Sequence, residues 1–239
     1  MNLYVGTSGF SYSEWKGSFY PADLPENGML RYYGERFRTV EINNTFHRMP
    51  SPSLINGWAA EVPAGFRFCL KVPIRITHIE RLQGSDDSLS YFIDVAGALR
   101  ERLGPLLFQL PPNFKKDLQR LRVVLVSLPP RHYRAAFEFR NATWFDDEVF
   151  DALKKHGAAL CVADIEEGVE VPRVATADWG YLRLRRADYS AAELRQWAEF
   201  VQGQGWKEVF VYFKHEDLAK GPQLARKFLE LLQVPGTAP

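Results

Sequence analysis

The chain has 239 residues, of which 46% are hydrophobic and 25% charged, and its formal net charge is +1. This length and balance suit a soluble globular protein whose core needs no staples, and a single α/β barrel domain commonly reaches this size. A near-neutral charge gives no global field for nucleic acid or an anionic membrane, and no apolar run approaches the ~18 residues that span a bilayer.

The chain opens almost at once on strand-like "LYVGTSG", without a charged-then-apolar signal segment. Cys69 and Cys161 sit in the apolar runs "RFCLKV" and "AALCVAD" and read as buried free thiols, so a cytoplasmic location with reduced cysteines is expected. Strands are expected at 3–8, 39–46, 66–72, 106–110, 134–140, 158–164, 180–186 and 208–215. Helices are expected at 28–37, 51–62, 87–103, 117–128, 146–156, 191–204 and 221–232. Ser51-Pro52 supplies a cap and a first-turn proline, Asp146-Asp147-Glu148 an acidic N-terminus, and Gly157 a stop. Residues 9–27 are aromatic and proline-rich rather than helical, and 230–239 read as a frayed tail.

Eight strands, most followed by a helix, predict a parallel sheet closed into a (β/α)8 TIM-type barrel, one domain over residues 1–239. Strand side chains alternate between lumen and helix layer. That phase turns Val40, Ile42 and Phe46 outward and Glu41, Asn43 and Thr45 inward; Phe137 and Phe139 point out, Glu138 and Arg140 in. It also sends Lys71, Gln109, Asp164, Arg183, Arg185, Tyr212 and Lys214 inward near the C-terminal strand ends, above Leu3, Val5, Ala136, Leu160 and Phe210. Barrels of this class carry their active sites at that mouth. Buried lumen charges that merely pair with one another are the bland alternative, but unpaired burial of an ion costs several kcal/mol, so ligand binding is the favoured reading.

The stretches "GTSGFSYSEWKGSFYP", "VEINNTFHRMP", "FCLKVPIRITHIERL", "LGPLLFQLPPNF" and "FEFRNATWF" resemble, in order, the YecE-like family, a barrel family of unknown function. The resemblance runs from Gly6 to Asp164 and implies a TIM-type fold without implying a reaction. The family-like positions are Gly6, Ser8, Gly9, Tyr12, Trp15, Glu41, Asn43, Thr45, Lys71, His78, Gln109, Glu138, Arg140, Trp144 and Asp164. The last third departs from it. Many members carry Arg-x-His-Gly-Arg on the seventh strand and Asn-Asn after the eighth; here "RLRRADYS" and Lys214-His215-Glu216 stand there.

The inward set holds three acids (Glu41, Glu138, Asp164) and five bases (Lys71, Arg140, Arg183, Arg185, Lys214), which favours an anionic ligand bearing phosphate or carboxylate. A hydrolase-like enzyme is preferred, phosphoester hydrolysis first, with Glu138 or Glu41 as general base or acid and Asp164 as the third catalytic candidate. Ser8, Tyr12, Trp15, Asn43, His47, Lys71, His78, Gln109, Arg140, Trp144, Arg183, Arg185 and Lys214 are the ligand-binding candidates. Mouth aromatics (Tyr12, Trp15, Phe19, Tyr20, Trp144) would stack a sugar or base, or else pack the long first loop. A non-catalytic site for an anionic metabolite or single-stranded nucleic acid is the alternative. A glycosidase ranks lower, because neighbouring arginines would keep both carboxyls ionised. No cofactor is indicated: His47, His78, His132, His156 and His215 lack paired spacing, and HxH, HExxH and CxxC are absent, though a divalent metal stays open.

Overall fold

Eight short strands carry the architecture of the computed structural model, which describes residues 1–83, 86–128, 133–214 and 217–232. The strands are β1 (Asn2–Thr7), β2 (Thr39–Ile42), β3 (Arg67–Lys71), β4 (Leu103–Gln109), β5 (Ala135–Glu138), β6 (Ala159–Asp164), β7 (Trp179–Leu184) and β8 (Glu208–Phe213). All pair in parallel, in the order β1-β8-β7-β6-β5-β4-β3-β2. The circle is nearly closed between β1 and β2, where Ser8 bridges to Glu41 and the Gly9 N–H donates to the Glu41 carbonyl at 2.8 Å. Gly6 permits that approach: a Cβ there would lie 2.2 Å from the Thr39 carbonyl oxygen.

The helices are α1 (Met29–Gly34), α2 (Asn44–His47), α3 (Pro52–Glu61), α4 (Asp86–Gly97), α5 (Leu118–Ser127), α6 (Asp147–Lys155), α7 (Ala191–Gly203) and α8 (Lys220–Leu232). Their ends follow the sequence signals. Ser51 Oγ accepts from the Leu54 N–H, Asp146 caps the Val149 N–H at 3.0 Å, and Gly157 stops α6 at φ +62°. Ser190 and Glu193 form a capping box on α7.

Three expectations change. The strand expected over 39–46 ends at Ile42, and the chain turns into α2, so the two-residue alternation does not reach Phe46. Helix α4 stops at Gly97 and β4 starts at Leu103, before residue 106. Residues 165–178, where no helix is expected, form the loop from β6 to β7. Helix α8 takes in residues 230–232 of the expected tail, whose remainder lies outside the described residues, as do His132, His215 and Glu216.

The apolar residues separate into two layers. The larger lies between sheet and helices; the smaller fills the lower lumen with Tyr4, Cys69, Leu107, Ala136, Ala159, Cys161, Trp179, Tyr181, Phe210 and Tyr212. Tyr4 stacks on Phe210 with ring centroids 4.7 Å apart, and both cysteines are buried free thiols. Leu3, Val5 and Leu160 belong to the outer layer instead of the lumen, because β1 and β6 run in the opposite phase to the one expected. Both strands are small or apolar at almost every position, so alternation left no trace there.

Candidate functional site

Above the aromatic plug the lumen turns polar, as the inward phase of β2, β3, β4, β5 and β7 requires. Cys69, Leu107, Ala136 and Tyr181 lie in the plug, and two residues on along the same strands come Lys71, Gln109, Glu138 and Arg183. These four and Glu41 are all buried.

Arg183 spans the barrel between two glutamates. Its Nη2 donates to Glu41 Oε1 at 2.8 Å and its Nη1 to Glu138 Oε2 at 2.5 Å, with all three residues at most 1% exposed. Glu41 also accepts from Ser8 Oγ (2.8 Å), Tyr181 OH (2.7 Å) and, at 3.4 Å, Asn43 Nδ2. Glu138 also accepts from Gln109 Nε2, 2.9 Å from both oxygens, and from Arg140 Nε at 2.9 Å. Burial by itself raises a carboxyl pKa, but here the Arg183 charge and this set of donors outweigh it. Glu41 is held below its ordinary range, and Glu138, with Arg140 adding its charge, well below. Both are therefore ionised acceptors and weak bases.

Lys71 is treated differently. Its Nζ lies 3.7 Å from the centroid of the Phe46 ring, and no ion pair to it occurs among the described residues. Burial and then the charge of Arg183 push its pKa down to about 7, against the opposing pull of Glu41 and Glu138. Phe46, expected to face the helices, is thus the seat of this amine, because α2 swings its ring over the mouth. Thr45 fixes that turn, its Oγ1 donating to the Lys71 carbonyl at 2.7 Å. His78 sits on one wide π turn, Arg75–Ile79, with its ring 5.0 Å from Phe46 and its Nδ1 2.9 Å from Thr77 Oγ1. Burial, then Lys71 and Arg140, lower its pKa to about 4.

A cavity of about 590 Å³ opens beside Glu138 and Arg140, bounded by Arg185, Lys214 and the 165–171 part of the β6–β7 loop. Burial and the Arg183 charge lower the Arg185 pKa. Glu166 and Glu167 also line the cavity, and Glu166 Oε1 accepts from the Ala187 N–H at 3.0 Å.

Other candidates fall elsewhere. Asp164 is not in the lumen: Ala159 and Cys161 are the inward residues of β6, so Asp164 turns to the helix side, next to Tyr189 and Arg186. The run "ALCVAD" contains no alternation to set its phase, and the terminal carboxylate suggested the wrong one. The glycosidase pairing of Glu138 with Asp164 goes with it. Trp15 is buried against Phe19 and Tyr20, and Trp144 is buried on Phe139 with its Nε1–H donating to the Phe114 carbonyl at 2.7 Å. Both are held by packing in the interior. The Tyr12 hydroxyl donates to the Ser8 carbonyl at 2.7 Å, which makes it a support for Ser8. His47 is exposed, with its ring at the edge of Phe46. Sequence reasoning missed Tyr181, although it stands two residues before Arg183 in "YLR", and it missed the β6–β7 loop, whose acidic run "IEEGVE" was the available signal.

Among the described residues, no group of three or more His, Cys, Asp or Glu side chains is placed to hold a metal ion, and no helix is long and apolar enough to cross a membrane.

Fold and site together define a TIM-type barrel with a charged C-terminal mouth. The chain belongs to the family described as "Protein of unknown function DUF72", whose model matches residues 4–239. It is 29% identical over 144 residues to the UPF0759 protein YecE of Escherichia coli, a match covering 60% of this chain and 50% of YecE, so it spans about half of that relative. Over 97% of its length it is 25% identical to the UPF0759 protein YunF of Bacillus subtilis, covering 95% of that protein. A DUF72 family protein from Thermotoga maritima superposes with a TM-score of 0.86 at 29% identity, covering 97% of this chain and 99% of the other. A D-psicose 3-epimerase from Clostridium cellulolyticum, at 12% identity and a TM-score of 0.55 over 97% of both chains, shares the fold alone.

Proposed function

We propose that the barrel mouth is the active site of an enzyme acting on a small anionic substrate, with Lys71 as the proton-transfer group. The convergence of Arg140, Arg185 and Lys214 on one cavity carries this reading. With Asp164 outside the lumen, two acids (Glu41, Glu138) and five bases (Lys71, Arg140, Arg183, Arg185, Lys214) face inward, Glu166 and Glu167 add two acids at the cavity wall, and guanidinium forks suit phosphate or carboxylate oxygens.

The two glutamates then act as a frame: they orient Arg183 and Arg140 and do not exchange protons near neutral pH. Lys71, whose pKa is about 7, is poised to accept or donate one. Phosphoester hydrolysis fits within this reading only if Lys71, not a carboxylate, is the proton acceptor. Single-stranded nucleic acid is the weaker ligand, since Trp15 and Trp144 are buried and offer no stacking face.

Titration calorimetry with inorganic phosphate and with small phosphorylated and carboxylated compounds tests the site. Arg140→Ala is expected to weaken binding by about 10- to 100-fold, the loss of one charge-assisted hydrogen bond. Isotherms that Arg140→Ala and Lys214→Ala leave unchanged would remove the anion from this cavity.

A further inference from the structure

We infer that Lys71 is a covalent catalyst: its amine condenses with the carbonyl group of an aldehyde or keto substrate that also carries a phosphate or carboxylate. This rests on the anionic-substrate reading above and narrows the substrate to carbonyl compounds.

Two carboxylates share the lumen with Lys71, yet neither forms an ion pair with it. Glu41 is occupied by Ser8, Asn43, Tyr181 and Arg183, and Glu138 by Gln109, Arg140 and Arg183. The lysine is 8% exposed, and its Nζ rests on an aromatic face. A ring is a weak partner for an ammonium compared with a carboxylate, so nothing holds the amine strongly in its charged form. The charged and titratable groups around it are Arg183 on β7, Glu41 on β2, Glu138 and Arg140 at the end of β5, and His78 on the π turn after β3. Desolvated lysines beside other cations are the ones that serve as amine nucleophiles.

The step balances without a further reactant. The Lys71 lone pair adds to the carbonyl carbon, and the carbonyl oxygen takes up a proton as the nitrogen gives one up. The hydroxyl then takes a proton from solvent and leaves as water, and Nζ, keeping its remaining hydrogen, forms the C=N bond of a cationic iminium. Arg140, Arg185 and Lys214 would hold the substrate's anionic end, and the iminium would draw electrons from the adjacent carbon.

At pH 7 about half of an amine of this kind is neutral, against roughly one part in a few thousand for an ordinary lysine near 10.4. The full chain is therefore incubated at pH 7 with glyoxylate or glyceraldehyde 3-phosphate and sodium cyanoborohydride, and adducts are located by peptide mass spectrometry. Lys71 is expected to be reduced onto the carbonyl carbon at least about tenfold faster than exposed lysines, even after its lower basicity weakens it as a nucleophile. Inorganic phosphate is expected to slow labelling at Lys71 and not elsewhere. Labelling spread evenly over the lysines, with phosphate binding intact, overturns the imine and leaves the anionic pocket standing. Fast labelling that phosphate does not slow overturns the proposed substrate class. Lys71→Arg and Lys71→Met, checked for folding by circular dichroism, are expected to lose the fast adduct; persistence of the fast adduct in either variant also overturns the inference.

Discussion

Arg183 illustrates how a single buried charge changes the meaning of its neighbours. It pairs with Glu41 and Glu138 at once, so removing it leaves two buried carboxylates with their burial cost and fewer donors. Arg183→Met is expected to lose about 3–5 kcal/mol at pH 7 in urea unfolding. The pH dependence should also change sign. In the native chain the folded pKa values of both glutamates lie below the unfolded value near 4.3, so their contribution is complete above about pH 5 and is lost as the pH falls toward the folded values. Without Arg183 burial dominates at Glu41, its folded pKa rises above the unfolded one, and the variant gains stability as the pH falls from 7 to 5. A variant that lost stability on the same acidification would refute the pairing as its cause. Lys71 has the mirror-image behaviour. Its folded pKa of about 7 lies below the unfolded value near 10.4, so the unfolded chain binds more protons between them and stability rises with pH across that window. Lys71→Met is expected to abolish this slope and to stabilise the protein at pH 7 by about 0.5–2 kcal/mol, the usual cost a functional group imposes on a fold.

The seam between β1 and β2 is the part of the barrel on which the site geometry leans most. Ser8, just after β1, donates to Glu41 on β2, and the Tyr33 hydroxyl on α1 accepts from the Thr7 N–H at 2.9 Å while donating to the Thr39 carbonyl at 3.0 Å. Gly6→Ala would drive a methyl group into that carbonyl. The expected cost is about 1–3 kcal/mol in thermal or urea unfolding, with weaker anion binding because Ser8 and Glu41 separate. An unchanged melting curve would show that the seam relaxes freely. Helix starts are more local. Asp146→Ala removes the cap of α6 and an ion-pair partner of Lys116, and about 1 kcal/mol is expected from the cap alone, read by the same unfolding experiment.

At the scale of the molecule, the lumen divides into an apolar floor rich in aromatic side chains and a charged mouth in which Lys71 has no ion pair among the described residues. Ligand binding to such a preformed mouth stabilises the folded state by mass action. Inorganic phosphate is therefore expected to raise the melting temperature in proportion to the logarithm of its concentration, and added sodium chloride to reduce that gain by screening. A shift equal to that produced by chloride alone would mark a general salt effect and count against a site.

Much of the barrel was legible in the residues themselves. Helix caps, glycine stops and the alternation in "TVEI", "FCLK" and "AAFEFR" depend on neighbours within a few positions, and they foretold eight strands and placed Glu41, Lys71, Gln109, Glu138, Arg140 and Arg183 on one face. What tertiary structure decided were relations across the chain. "ALCVAD" carries no alternation, so only pairing with β7 turned Asp164 away from the lumen. The aromatic residues of the first loop and of "NATW" could line a mouth or a core, and packing buried Trp15 and Trp144. The division of labour among charges depended on Arg183 meeting Glu41 across 142 residues of sequence, which saturated the carboxylates and left Lys71 to its aromatic seat. Where a strand alternates, local pattern determines which face a side chain occupies; which partner it finds there, and hence its proton affinity, is set by three-dimensional distance.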